Sequence, residues 1–340
     1  MPRAKSHLTH RKRRRTNTGR AAVDQLSDLP SQAEWDKMVK FGVFEIDNDG
    51  VQVPFKVGDT ALILPEGKSP EEPMEEHEYW VGKIKDIRQR ADQEVVANVQ
   101  WYWSPDEVAQ HDKSFDASHC GKYERIYSDQ RNFVSSFSFN EVTSVKPFSE
   151  TDVDQPSINA NEFYCRYRYD HVKRQVIAEP AGMSTCTCND PYNPDDTDPM
   201  HFCSWEKTSA PSDRDLRLLA TSPDTDEVVD LSAISAPKPR EKKRGRPSKA
   251  KPPLVDLSSL PGPLVKVAQL PITRGGHGGS IAGNVASVVK ARRMVYAALA
   301  AGGEVEDGWE EELDIKRVLA RRKAASKGTP FLCPECGGPI

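Results

Sequence analysis

Three tryptophans are spaced so that they could hold a cation. Trp80 lies in the run Tyr79-Trp80-Val81-Gly82-Lys83-Ile84, and Trp101 and Trp103 flank Tyr102 in Val99-Gln100-Trp101-Tyr102-Trp103-Ser104-Pro105. Successive side chains of a strand alternate faces, so Trp101 and Trp103 are expected on one side and Tyr102 on the other. Two indoles on one face, with Trp80 on a neighbouring strand, can wall a pocket for a quaternary ammonium, which is the chemistry of an aromatic cage. The same spacing also suits a half-buried strand whose aromatics fill a core. A second set of reactive side chains is Cys186, Cys188, Cys203, Cys333 and Cys336, five of the seven cysteines. Their short spacings in a reducing compartment point to zinc before disulfides. A third is the basic run around Arg244, Gly245, Arg246 and Pro247. No catalytic residue emerges. His119 and Cys120 are neighbours in sequence, which is no evidence for a nucleophile and its base. The glycines of Arg274-Gly275-Gly276-His277-Gly278-Gly279 lack the strand and the lysine of a phosphate-binding loop.

The elements that must position these residues are short. The 340 residues are 37% hydrophobic and include 26 prolines and 21 glycines, so modules joined by linkers are expected rather than one large core. The net charge of -4 conceals strong asymmetry, with Arg11-Lys12-Arg13-Arg14-Arg15 and Lys242-Lys243-Arg244 basic and stretches 66–78 and 304–312 acidic. The N-terminal basic run reads as a nuclear-import signal or a nucleic-acid contact within a disordered tail, 1–49, that carries a short helix. No apolar run approaches the roughly 20 residues of a membrane helix, and the basic N-terminus lacks a signal-peptide core.

Apolar alternation begins at Val51. Strands are expected at Val53 to Val57, Thr60 to Leu64, Tyr79 to Ile87, Glu94 to Tyr102, Glu124 to Ser128, Phe133 to Ser138, Val142 to Pro147 and Glu162 to Tyr169. This spacing predicts a β-barrel or sandwich of about 120 residues. Stretch 208–263 reads as a linker. Beyond it, Asn284 to Ala301 reads as a helix with Asn284 as N-cap and a basic side of Lys290, Arg292 and Arg293. A second helix is expected from Trp309 to Ala325.

Phe55-Lys56-Val57-Gly58-Asp59, the Trp80 run, Trp101-Tyr102-Trp103-Ser104-Pro105-Asp106 and Glu124-Arg125-Ile126-Tyr127-Ser128 together resemble a BAH (bromo-adjacent homology) domain over about 50–172. The resemblance implies a mainly β chromatin module, a distorted β-barrel. In the histone H3 tail readers of that family, the cage aromatics occupy positions matching Trp80, Trp101 and Trp103, with a polar partner expected around Ser128 to Asn132. The next stretch, 173–207, resembles a PHD finger that has lost its middle. By that likeness Cys186 and Cys188 form the first ligand pair, Cys203 belongs to the second, and Cys333 and Cys336 form the last. One zinc would then have two ligands and the other three, where structural zinc takes four. Zinc is thus an expected cofactor only with an incomplete ligand set. Lys243-Arg244-Gly245-Arg246-Pro247-Ser248-Lys249 resembles an AT-hook, which implies weak, salt-sensitive contact with an A·T-rich minor groove. The remaining stretch, 264–340, is a small helical region ending in the Cys333-Pro334-Glu335-Cys336 knuckle half.

The expected protein is a nuclear, non-enzymatic chromatin adaptor in transcriptional regulation or silencing. Its partners are a histone tail or neighbouring chromatin protein and A·T-rich DNA, with no membrane and no small-molecule substrate. Two alternatives stay open: a BAH domain that binds proteins without reading methyl-lysine, and a DNA-binding regulator led by the basic segments.

Overall fold

Strand formation starts earlier than the apolar alternation announces. In the computed structural model the described residues are 9–11, 29–48, 51–69, 71–150, 152, 154–178, 192–196, 199–202, 229–230, 260–275, 280–300, 304–313, 315, 318 and 331–332. They divide into two units, one of 1–148 with 161–181 and one of 149–160 with 182–340.

The first unit is mainly β. Three strands precede or open the expected domain, β1 (Thr9–Arg11), β2 (Val39–Phe41) and β3 (Val43–Asn48). They are followed by β4 (Val51–Lys56), β5 (Thr60–Ile63), β6 (Trp80–Gln89), β7 (Val95–Trp103), β8 (Ile126–Ser135) and β9 (Phe139–Thr143). Two short strands, β10 (Lys146–Pro147) and β11 (Tyr164–Cys165), pair with each other, and β12 (Tyr167–Asp170) and β13 (Gln175–Ala178) close the run. An eight-stranded sheet runs β13-β12-β8-β7-β6-β5-β9, with β2 also on β6, while β1, β3 and β4 make a separate three-stranded sheet.

The two sheets meet over one core. Phe44 and Ile46 of β3 and Phe55 of β4 pack with Ile63, Ile84, Val99 and Phe139 of the larger sheet. Phe44 stacks on Phe55 at 5.1 Å, and the edge of Phe139 meets both. This explains why β2 and β3 are strands although the sequence reads as a polar tail there. Their inward residues Phe41, Phe44 and Ile46 are separated by Gly42-Val43 and by Glu45, and Asp47 follows, so no long apolar run appears. Helix α1 (Gln32–Trp35) is the short helix expected near the N-terminus, capped by the Ser31 hydroxyl and anchored by buried Trp35.

Two expected strands are one. Glu124–Ser128 and Phe133–Ser138 merge into β8, with Ser136–Ser138 as a 3-10 turn. The polar run 129–132 looks like a break, but β12 pairs with β8 only at Tyr127 and Ser128, so the strand beyond needs no apolar outer neighbours. The expected strand Glu162 to Tyr169 is conversely split into β11 and β12.

In the second unit, β14 (Pro199–Phe202) pairs antiparallel with β16 (Ile272–Gly275), and β15 (Val229–Asp230) pairs parallel with β17 (Phe331–Leu332). Writing α2 for Pro105–His111 of the first unit, the helices here are α3 (Gly262–Ala268), α4 (Val285–Ala300) and α5 (Trp309–Glu312). Leu264, Val267 and Ala268 of α3 pack on Ala291, Val295 and Ala298 of α4. Asn284 precedes α4 as expected, but its side chain accepts from the Thr273 amide and donates to the Pro271 carbonyl, both at 2.8 Å, instead of capping its own helix. The expected basic side of α4 is also smaller. Arg292 is buried and donates to the carbonyls of Ala268 and Leu270. Burial lowers its pKa to about 10, against a raising contribution from Tyr296. Of the expected second helix, α5, its C-cap Leu313 and the helical residues Ile315 and Val318 are described, and the rest lies outside the described residues.

Candidate functional site

Trp80 opens β6 opposite Ile63 of β5, and Trp101 lies near the end of β7 opposite Gly82 of β6. A Cβ at Gly82 would overlap Val99 Cγ1 and meet Ile63 Cδ1 at 3.0 Å and Trp101 Cε3 at 3.4 Å. The missing side chain therefore gives the Trp101 indole the space to lie over β6. The Trp80 and Trp101 rings meet edge to face, with centroids 5.7 Å apart and planes at 76°. Both are half-buried, with one side against the Phe44–Phe139 core.

Pairing with β8 fixes the ring of Trp101. In the β7–β8 ladder, Gln100 pairs with Arg131 but Tyr102 with Tyr127, so the register slips at Trp101. The Gln100 amide spans the gap by donating to the Ser128 carbonyl at 2.8 Å. Asn132 lies on the regular side of the slip, opposite Val99 and so diagonal to Trp101, whose Nε1–H donates to Asn132 Oδ1 at 2.9 Å. Asn132 falls at the end of the stretch where a polar partner is expected. It also borders an open groove of about 720 Å³ walled by the stacked Trp35 and Phe133, with Lys85 and Arg131 on its lining and Lys40 paired there with Asp86 at 3.1 Å.

Trp103 has different neighbours. Its ring lies 5.1 Å from His111, 5.6 Å from Tyr169 and 5.8 Å from His171, packed with Val108 and Ile126. The structure thus brings Trp80 and Trp101 together and sets Trp103 in a separate cluster, where its buried Nε1 has no hydrogen-bond partner among the described residues. The Tyr102 ring lies 4.8 Å from that of Tyr127, tilted by 44°, and burial, reinforced by Cys165 and Tyr127, raises its phenol to about 12.

The approach to Trp80 is acidic. Glu75 and Glu78 form a reciprocal capping box around the 3-10 turn Glu76–Glu78, which leads directly into Tyr79 and Trp80. Buried Arg125 holds this turn by donating to the His77 carbonyl, and it also donates to the carbonyls of Lys122 and Glu124. Burial lowers the Arg125 pKa to about 10, although Glu107, Tyr164 and other neighbours favour its charge.

Beneath the loop, Glu124 is fully buried. Its carboxylate accepts from Arg166 Nε at 2.8 Å and Nη2 at 2.7 Å, from Tyr164 Oη at 2.9 Å and from the Gly121 amide at 3.3 Å. Burial alone would lower the Arg166 pKa, but the Glu124 carboxylate outweighs it and holds the guanidinium well above its usual value. Burial and Glu124 push the Cys120 thiol up, while burial raises Cys165 to about 11. Thiols shifted in that direction are poor nucleophiles at neutral pH.

The remaining sequence candidates, Cys186, Cys188, Cys203, Cys333, Cys336, Arg244, Gly245, Arg246 and Pro247, lie outside the described residues, as do Lys12 to Arg15 of the N-terminal basic run. Among the described residues no cluster of metal-ligating side chains is present, and no helix is long and apolar enough to cross a membrane.

Comparison with family models matches residues 53–178 to the BAH domain. No curated protein matches the chain. Among solved structures, the crystal structure of the yeast Rsc2 BAH domain is similar, with 16% identity over 41% of this chain and a TM-score of 0.28. The match spans 55% of that structure's chain.

Proposed function

Starting from a BAH domain at residues 53–178, a chromatin-associated protein-interaction module, we propose that this chain docks on a histone tail by holding a methylated lysine against Trp80 and Trp101. The carrying observation is the edge-to-face pair, half-exposed and oriented by the Asn132 hydrogen bond. Two perpendicular π-faces form a corner that suits a quaternary ammonium, and the acidic turn beside Trp80 favours a cationic tail. Trp103, the third member of the expected cage, supports in this reading the strand end from which Trp101 projects. Each aromatic face over a desolvated ammonium contributes roughly 0.5–2 kcal/mol, so removing one wall weakens binding by roughly 2- to 30-fold.

The test is an array of histone peptides with unmodified and methylated lysines, followed by titration of the best peptide against Trp80→Ala, Trp101→Ala and Trp103→Ala. The reading expects preference for a methylated peptide and its loss in the first two variants with the circular dichroism spectrum unchanged. Equal binding of the unmodified peptide, or unfolding of both variants, sinks it.

A second reading is favoured by the contact of both rings with the hydrophobic core: the pair is structural, and the domain binds a protein partner without reading methylation. It expects Trp101→Ala to destabilise the fold.

The segment Arg244-Gly245-Arg246-Pro247 adds weak A·T-rich DNA contact in this proposal and so increases residence on chromatin in the nucleus. Deleting 240–251 lowers, without abolishing, chromatin association. The five cysteines hold zinc only in part, so fewer than two zinc ions per chain are expected by elemental analysis.

A further inference from the structure

The smaller sheet is finished by a strand from the far N-terminus. Thr9–Arg11 lies parallel to β3, with Thr9 opposite Glu45, His10 opposite Ile46 and Arg11 opposite Asp47. The other edge of β3 is fully taken by β4, from Val43 opposite Lys56 to Asn48 opposite Val51. Thus β1 covers the edge at which the sheet would otherwise end, and an open edge offers unpaired N–H and C=O groups to any extended chain.

Two observations define what kind of strand this edge accepts. Phe44 and Ile46 point into the core, so Glu45 and Asp47, alternating with them, share the opposite face. The edge therefore carries two carboxylates at every-other-residue spacing. The strand that occupies it belongs to the stretch Lys5 to Arg15, which has six Lys and Arg side chains and no acidic one. Its register sets Arg11 opposite Asp47. Parallel pairing gives a defined direction, and the 31 residues from Lys12 to Gly42 easily meet the dozen or so that a parallel connection needs.

We propose that the outer edge of β3 is a docking edge for an extended basic peptide running parallel to it, and that Thr9–Arg11 is the chain's own displaceable occupant. Docking would occur by strand addition, with backbone hydrogen bonds giving affinity and the Glu45–Asp47 face selecting for positive charge. The inference does not depend on the Trp80–Trp101 reading. Only three residue pairs hold β1, so its advantage over an outside peptide is mainly its tether. Short tethers give effective concentrations on the order of 1 mM. If an open edge binds a peptide with a Kd of about 100 μM, the tethered strand then weakens apparent binding about tenfold.

The probe is a fluorescent synthetic peptide of residues 5–15, titrated by anisotropy against the full chain and variants of it. Deletion of residues 1–15, or Thr9→Pro with His10→Pro in the intact chain, is expected to tighten binding about tenfold. Adding Glu45→Lys and Asp47→Lys to the deletion is expected to reverse the gain. If that pair unfolds the domain, Glu45→Gln with Asp47→Asn replaces it and is expected to weaken binding at least threefold. A peptide of the same composition in reversed order should bind at least fivefold more weakly, because it cannot keep both direction and register. Equal affinity for the intact and deleted chains, no binding to the deleted chain, or equal affinity for the reversed peptide each overturns the proposal.

Discussion

Glu124→Gln is the substitution whose cost the structure specifies most closely. The Arg166 side chain is 4% exposed and that of Glu124 is 0% exposed, so neither charge is relieved by water. Glutamine fills the same volume but brings an NH2 group toward donors from Arg166, Tyr164 and Gly121 that all need an acceptor. Breaking a buried pair from one side strands the other charge and costs about 3–5 kcal/mol. Against a typical stability of roughly 5–15 kcal/mol, this removes a large share of the folding margin, a fall in Tm of about 10–20 °C. The partner experiment is Arg166→Met on top of Glu124→Leu. Removing both charges deletes the desolvation cost along with the attraction, so the double variant should be more stable than either Glu124→Gln or Arg166→Met alone. Urea denaturation followed by circular dichroism on the unsubstituted chain, Glu124→Leu, Arg166→Met and their double variant yields the coupling energy. The reasoning is refuted if Glu124→Gln costs less than about 1 kcal/mol, or if the losses in the double variant simply add.

Three further outcomes follow from the same geometry. Asn132→Ala removes the acceptor that orients Trp101 and should weaken methylated-peptide binding by roughly 2- to 10-fold, yet have no further effect on a Trp101→Phe background, as calorimetric titration of the four chains would show. Gly82→Ala forces a methyl group into Val99 and toward Trp101; overpacking of this kind costs about 1–3 kcal/mol, read by thermal denaturation, and a neutral result would mean that β6 and β7 can separate freely. The Cys165 thiol is raised from 9.0 to about 11 by burial, so the unfolded chain loses its proton first; stability from this group is complete below pH 9 and declines as pH rises toward 11. Cys165→Ser should flatten that part of the alkaline stability profile, measured by urea midpoints between pH 8 and 11, and an unchanged slope would reject the assignment.

What the sequence makes legible depends on how far a residue's environment is set by its near neighbours. β5, β6 and β7 are readable because Thr60–Ile63 and Val95–Trp103 carry dense apolar and aromatic side chains bounded by turn residues. The strand β3 is not, because Phe44 and Ile46 alternate with Glu45 and Asp47 and gain their meaning only from the Phe55 and Phe139 rings across the core. Arg292 illustrates the same gap: its position on α4 reads as a solvated basic side, and only the approach of the α3 C-terminus supplies the carbonyls that bury it.

The aromatic site shows where period-two reasoning stops. Alternation along β7 places Trp101 and Trp103 on one face, and it holds from Val95 through Ala97 and Val99 to Trp101, all against the same core. It then encounters the β7–β8 slip between Gln100 and Tyr102, which is set by where β8 must turn to pair with β12 at Tyr127 and Ser128. Past that point the strand end belongs to another cluster, built by α2, Tyr169 and His171, and Trp103 goes with it. Asn132, opposite Val99 on the regular side of the slip, keeps the register that lets it accept from Trp101. The Trp80–Trp101 corner therefore belongs to the regular β6–β7 ladder, and Trp103, at the strand end beyond the slip, joins the other cluster. If the β7–β8 ladder is what orients the site, Gln100→Ala, which removes its side-chain bridge to the Ser128 carbonyl, should weaken peptide binding without touching either ring, and unchanged affinity would show that the indoles orient themselves.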